Sequence, residues 1–255
     1  MRTSEHAQPD AVEPMPLQAR QWRAGQWRTI PEAVAREIPL RILFPGGETR
    51  LWAWPHECAK LAAGHVLLDC LHDAAPDCPS PRGLPPVEAQ ERDGAWHVTP
   101  PVTAVLRTRA ASFAAPLPAD LLAHMAEFLH APGVWDGTGC YHRAALLHAA
   151  TGRFVRVAED IGRHNCLDRL AGHIALSGGC ARMDPDYILF VTARISASLY
   201  CKARRLGVRG VISRAAVTSA AVEMARRQAV TLIGFCRPEE ERFTVFSDPQ
   251  GRFTA

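Results

Sequence analysis

Four short stretches of this chain gather residue types able to hold an anion or move a proton. The densest is Glu159-Asp160-Ile161-Gly162-Arg163-His164-Asn165, where six of seven positions are polar or glycine. It lies between a strand-like and a helical run, the place where α/β proteins build sites. Two carboxylates beside an arginine and a histidine can pair with one another to hold a turn, or they can face a ligand. Upstream, Gly137-Thr138-Gly139-Cys140-Tyr141-His142 reads as a glycine-rich turn entering a helix, whose unpaired N–H groups suit an anion. A plain loop–helix junction has the same pattern, and His142 fits a core or cap position as well as a ligand role.

The other two stretches follow later strands. Arg194 and Ser196 come after one strand, with Lys202 on the next helix, and Ser213-Arg214 with Thr218-Ser219 come after the next. Gly234-Phe235-Cys236-Arg237 follows the strand beyond that. Three successive strand ends that each deliver an arginine beside small or hydroxyl residues make a coherent phosphate site. From Val191 to Arg237 nine basic residues stand against a single acid, Glu223. That bias suits a phosphate-bearing ligand, and it equally fits a solvated helix surface.

Other chemistries find little support. The eight cysteines never approach Cys-x-x-Cys spacing, the closest two being Cys70 and Cys78. His142 and His164 could meet in space, but no cysteine pair accompanies them. The His-x-Glu with Pro-Cys-x-x-Cys pattern of zinc deaminases is absent, so no zinc is expected. No Gly-x-Ser-x-Gly elbow marks a serine hydrolase. A net charge of +3 argues against a nucleic-acid module. No apolar run reaches membrane-spanning length and Met1 to Glu13 lacks the apolar core of a signal peptide. A cytoplasmic protein without membrane contact is therefore expected.

The elements that must position these stretches follow from pattern. Residues 1–35 read as a loosely ordered arm, with Trp22 and Trp27 as docking points. Residues 36–115 read as a β-rich subdomain. It holds a hairpin of Ile38–Phe44 and Glu48–Trp54, a helix over Glu57–Leu71, a loop over Asp73–Pro86 and a strand over His97–Arg109. Residues 116–255 read as a three-layer α/β cofactor-binding domain. Helices are expected over Ala119–His130, Tyr141–Ala150, His164–Leu176, from Ser196 to Gly207, and over Thr218–Arg227. Strands are expected over Arg153–Ala158, Tyr187–Thr192, Val208–Ser213, Val230–Cys236 and Arg242–Ser247.

In order and spacing, these segments resemble the formate dehydrogenase accessory sulfurtransferase family, FdhD. The resemblance rests on Thr138-Gly139-Cys140-Tyr141-His142 with Ala144-Ala145-Leu146, on Glu159 to Asn165 with Asp168, and on Arg194-Ile195-Ser196 with Lys202. It continues through Ser213 to Ser219 and Thr231 to Phe235, and is weaker in Ile38 to Ile42, Trp54-Pro55-His56 and Leu61 to His65. The resemblance implies a C-terminal domain similar to the cytidine deaminase fold. It also implies a role in maturing molybdenum- or tungsten-dependent formate dehydrogenase, with sulfur taken from a cysteine desulfurase as a persulfide. The cargo would be the bis(molybdopterin guanine dinucleotide) cofactor, the partner the formate dehydrogenase catalytic subunit, and the assembly a homodimer. By the same resemblance Phe235, Cys236, Arg237, Pro238, Glu239 and Glu240 contact the cofactor.

One departure bears on mechanism. Where the family carries Cys-x-x-Cys, this chain has Arg-Ala-Ala-Ser-Phe-Ala-Ala-Pro over residues 109–116, and no cysteine occurs between Cys78 and Cys140. A persulfide needs a thiolate sulfur, which Ser112 does not provide. Smaller departures are Cys140 and Ala193 for glycines, Val217 for proline and Pro238 for glycine. Two readings follow: a cofactor chaperone without the usual persulfide relay, or a sulfurtransferase using a substitute thiol such as Cys140. A nucleotide-acting enzyme on a deaminase-like fold is a third, weakened by the missing zinc ligands.

Overall fold

The computed structural model describes residues 13–71, 84–100, 118–135, 137–178 and 187–253. It opens with an isolated antiparallel ribbon of β1 (Met15–Arg23) and β2 (Gln26–Val34). This corrects the loose arm expected over residues 1–35 where it is described; residues 1–12 lie outside the described residues. Ala24 and Gly25 both take positive φ, 49° and 84°, the tight turn whose twist matches paired strands. Trp22 and Trp27 stand opposite each other with ring centroids 5.5 Å apart. Cross-strand pairs and the turn define this ribbon, and its mixture of Gln, Arg and Pro hides the strand period.

A four-stranded sheet follows, in the order β4 (Gly47–Ala53), β3 (Ile38–Phe44), β6 (Ala95–Thr99), β5 (Glu88–Arg92). The β3–β4 hairpin is as expected, whereas β5 was hidden by its polar composition. Most of the expected His97–Arg109 strand, and the 109–116 stretch, lie outside the described residues. Leu40, Ile42, Ala53 and Val98 pack against helix α1 (Cys58–His65), which continues as a π-helical turn over Val66–Cys70.

The larger sheet has the order β12 (Arg242–Ser247), β11 (Thr231–Arg237), β10 (Gly210–Ser213), β9 (Tyr187–Val191), β7 (His142–His148), β8 (Arg153–Asp160). Strands β9, β10 and β11 are parallel, and β7, β8 and β12 pair antiparallel to their neighbours. Helix α2 (Pro118–His130) covers one face through Leu121, Met125 and Phe128. Helices α3 (Arg163–Leu176), α4 (Ala197–Leu206) and α5 (Ser219–Arg227) join the core on the other. The result is an α/β fold with three layers. No helix among the described residues is long and apolar enough to cross a membrane.

Strand β7 overturns the helix expected over Tyr141–Ala150. Alanine and leucine favour helix intrinsically. Here Ala144 and Leu146 enter one core while Ala145 and Leu147 enter the other. A strand buried on both faces reads as a continuous apolar run, so periodicity alone does not tell it from a helix.

Candidate functional site

The sheet brings all the singled-out segments to one end. Strand β7 runs against β9, and His142 stands opposite Asp160, so both lie where β9, β10 and β11 finish. The connections there are stitched together. Ile195 N–H donates to Ala216 O at 2.9 Å, Thr218 N–H to Ile195 O at 3.0 Å, and Phe235 N–H to Ala215 O at 2.9 Å. They form a ledge across the ends of the sheet. Since β7 is a strand, the anion site expected at a helix N-terminus after Gly139 does not exist in that form.

Several predicted site residues turn away from the ledge to hold it. Asp160 is fully buried and takes the Arg169 guanidinium, Nε to Oδ2 at 2.8 Å. Its Oδ1 accepts from Gly162 N–H at 2.9 Å and Asn165 Nδ2 at 3.0 Å, closing the turn. Asn165 also donates to Trp52 O, and Arg169 to Trp54 O and His56 O, which ties β4 and its following loop to α3. Glu159 pairs with buried Arg143, Nε to Oε1 at 2.8 Å, and accepts from the amides of Val134 and Trp135. A Cβ on Gly133 would lie 2.3 Å from Arg143 Nη2 and 2.5 Å from both Glu159 carboxylate oxygens, so a larger residue there would have to displace this pair.

Lys202 is likewise buried, 2.8 Å from carboxylate oxygens of both Asp168 and Asp69. His65, Asp69 and Asp168 offer ligand atoms within 4.8 Å of one another, but the Lys202 ammonium and the His65 imidazole, its pKa raised to about 10, already balance these two carboxylates. Ser213 Oγ donates to Ala193 O at 2.7 Å and accepts from Ala215 N–H at 2.8 Å. Cys236 packs into the second core, and burial, with Glu239 adding to it, pushes its thiol up to about 12. These groups shape the site rather than face it. Sequence reading missed Arg143, Arg169, His65 and Asp69. The available signal was a charge set among core-spaced apolar residues.

What remains on the ledge is mostly cationic. Arg163 and Arg194 are exposed and make no hydrogen bond or ion pair among the described residues. Burial holds the His142 imidazole below its ordinary range, and Arg163 and Arg194 push the same way against Asp160. Burial, Lys202 and Arg163 likewise lower His164, whose Nε2 lies 3.1 Å from Ser198 Oγ. Ser196 Oγ caps α4 by accepting from Leu199 N–H at 3.3 Å, while Thr218 and Ser219 open α5 exposed.

At the far side, Arg214 pairs with Glu239 at 2.6 Å and Arg237 with Glu240 at 2.5 Å, Pro238 starting the turn between them. Phe235 takes a φ of 49°, and the guanidinium groups of Arg237 and Arg242 lie 5.7 and 5.6 Å from its ring centroid. At the head of β7, the Cys140 amide donates to Thr138 Oγ1 at 3.3 Å, next to Gly139 at φ 71°. Among the described cysteines Cys140 alone is exposed.

A family model described as the FdhD/NarQ family matches residues 98–253. The chain is 30% identical over 245 residues to the sulfur carrier protein FdhD of Methanothermobacter thermautotrophicus, covering 88% of this chain and 92% of that one. It is 30% identical over 258 residues to the Xanthomonas euvesicatoria protein of the same name, covering 91% and 89%. Against that of Bacillus subtilis it is 38% identical over 133 residues, 52% of this chain and 48% of the other. A solved structure, described as a formate dehydrogenase accessory protein from Desulfotalea psychrophila, superposes with a TM-score of 0.73 at 23% identity. It covers 93% of this chain and 98% of that one, a likeness of fold.

Proposed function

The chain belongs to the FdhD/NarQ family, and from that premise we propose that it is a formate dehydrogenase accessory protein acting as a cofactor chaperone. In this reading it binds the Mo- or W-bis(molybdopterin guanine dinucleotide) cofactor on the ledge and prepares it for insertion, without the family's usual persulfide relay. The observation that carries the reading is the pair of exposed guanidinium groups of Arg163 and Arg194, unengaged among the described residues, where β8 to β11 end and β7 begins. A cofactor with two pyrophosphates supplies the anions such a ledge lacks. His142, His164, Ser196, Thr218 and Ser219 would add hydrogen bonds, and Thr138 and Gly139 would close one flank. The metal and its dithiolenes bring the redox chemistry that the receiving enzyme uses. This chain's part is to bind, orient and release. The receiving partner is the formate dehydrogenase catalytic subunit, and the protein works as a cytoplasmic homodimer.

The test is recovery of cargo. Protein purified from cells making the cofactor should carry molybdenum or tungsten and release guanine nucleotide on acid treatment. Arg163→Ala with Arg194→Ala should abolish both. Metal-free protein, together with unchanged formate dehydrogenase activity in cells lacking it, would overturn the reading.

The exposure of Cys140 beside His142 favours a second reading, sulfur transfer from a cysteine desulfurase through that thiol. Burial raises the thiols of Cys58, Cys166 and Cys236, and a thiol held protonated is a poor acceptor of sulfur. Peptide mapping after incubation with a desulfurase and cysteine separates the readings: added sulfur on Cys140 selects the second, and an unmodified chain selects the first.

A further inference from the structure

The ledge holds two kinds of arginine. Arg163 and Arg194 are exposed and unengaged among the described residues, whereas Arg214 and Arg237, where β10 and β11 end, are each held by a carboxylate. Arg214 Nη2 donates to Glu239 Oε1 at 2.6 Å, and Arg237 Nη1 to Glu240 Oε1 at 2.5 Å. Arg242 Nε donates to the second oxygen of Glu240. Both carboxylates sit on the short turn Pro238–Glu240 that joins β11 to β12.

Each grip is incomplete. The Nε atoms of Arg214 and Arg237 are enclosed and have no hydrogen-bond partner. A guanidinium offers Nε–H and an Nη–H side by side, a fork that suits two oxygens of one phosphate. A carboxylate oxygen on one Nη leaves that fork half used. The backbone of the turn is strained at both ends. Phe235 and Glu241 each take a φ of 49°, in the left-handed region that non-glycine residues seldom adopt, and the β11–β12 register shifts between Gly234 and Arg237. Tethered this closely, the carboxylates compete for the guanidinium groups at an effective concentration on the order of millimolar. A small free anion below that concentration loses to them. A polyanion already held by Arg163 and Arg194 meets Arg214 and Arg237 as a tethered group in its own right, and there the two-oxygen grip favours phosphate.

We propose that Glu239 and Glu240 are specificity-determining residues of the ledge: they hold Arg214 and Arg237 against lesser anions and yield them only to a ligand with several phosphates. The inference rests on the cofactor reading above and adds which arginines the cargo must win, and from what. Loading is then an exchange of carboxylate for phosphate on the same guanidinium groups. Return of the carboxylates favours release.

Calorimetric titration of the full chain with GDP tests it, beside a double variant, Glu239→Gln with Glu240→Gln, and a single variant, Glu241→Gln. Glu239 and Glu240 are exposed, so their substitution leaves the core untouched. Glu241 follows on the same turn and makes no ion pair among the described residues. The double variant should bind GDP roughly tenfold tighter, since an exposed ion pair is worth up to about fivefold and two are removed. Its affinity should also fall more steeply with added chloride than that of the native chain, because chloride now competes for arginines that the carboxylates had kept. Glu241→Gln should leave both GDP affinity and the chloride response within about twofold of native. A double variant that binds GDP as the native chain does, or loses no more to chloride, overturns the inference and leaves the cofactor reading standing. So does a Glu241→Gln variant that gains as much per charge removed, which would reduce the effect to the general field of the turn. No binding of GDP by the native chain or the double variant removes the cofactor reading, and this inference with it.

Discussion

A Cβ placed on Gly64 would stand 1.8 Å from the backbone carbonyl oxygen of Asp168. The contact is reciprocated one turn away, where a Cβ on Gly172 would stand 1.8 Å from Lys60 O. Helices α1 and α3 therefore cross backbone to backbone, and that crossing fixes the N-terminal subdomain against the helix that opens at Gly162 and carries Arg163 and His164.

Because backbone stands behind each glycine, no rotamer change makes room for a methyl group. Gly64→Ala should cost about 3 kcal/mol, the upper end of ordinary overpacking, and Gly172→Ala a similar amount. Thermal unfolding should show a large drop in Tm for either. An unchanged Tm would mean that the helices cross farther apart.

The Asp160–Arg169 pair has the same architectural part in electrostatic form. Both side chains are essentially buried, and Arg169 reaches two carbonyls of the segment after β4. Asp160→Asn leaves the guanidinium buried beside a neutral amide, which costs about 3–5 kcal/mol. Urea unfolding should show a lower midpoint, and nucleotide affinity of the remaining folded protein should also fall, because the turn carrying Arg163 loses its closure. A variant as stable as the native chain would show that water reaches this pair.

How much of this was legible in the sequence depends on what each residue had to signal. The parallel strands and their arginine-bearing ends were legible, because a buried apolar run followed by small and charged residues reports both strand and loop. The four site segments were legible as segments. Their inward members were not: Asp160, Glu159, Lys202 and Ser213 have the same residue types as ligand-facing groups, and only the fold shows that Arg169, Arg143, Asp168 and Ala193 O engage them. Strand β7 was misread because Ala-Ala-Leu-Leu carries helical propensity and its alternation has meaning only between two cores. The β1–β2 ribbon was missed because the signal sits in a two-residue turn whose first residue is alanine.

His65 predicts a pH dependence of stability. Burial alone would lower its pKa, but the Asp168 carboxylate and the Cys70 thiol outweigh burial and raise it to about 10. Asp69 lies on the same imidazole at 3.3 Å, while the Lys202 ammonium opposes the shift. With a folded value above the ordinary 6.5, the group's contribution is complete below about pH 6.5 and is lost as the pH rises toward 10. Unfolding midpoints should decline over that window, and His65→Gln should flatten the decline. A midpoint independent of pH between 7 and 10 would place a neutral imidazole there.

The imidazoles on the ledge shift the other way, and that couples protons to ligand. Burial, with Arg163 adding to it, lowers both His142 and His164 below their ordinary range, so at neutral pH they are uncharged beside exposed guanidinium groups. A bound polyanion reverses the local potential and raises both pKa values, so binding draws protons from solution. Reciprocity then requires affinity for the anion to rise as the pH falls from 8 toward 6. Calorimetry with GDP in two buffers of different ionisation enthalpy should show net proton uptake at pH 6.5. His142→Gln or His164→Gln should reduce it. Uptake that neither substitution changes would mean that the phosphates lie away from β7 and α3, toward Arg214 and Arg237.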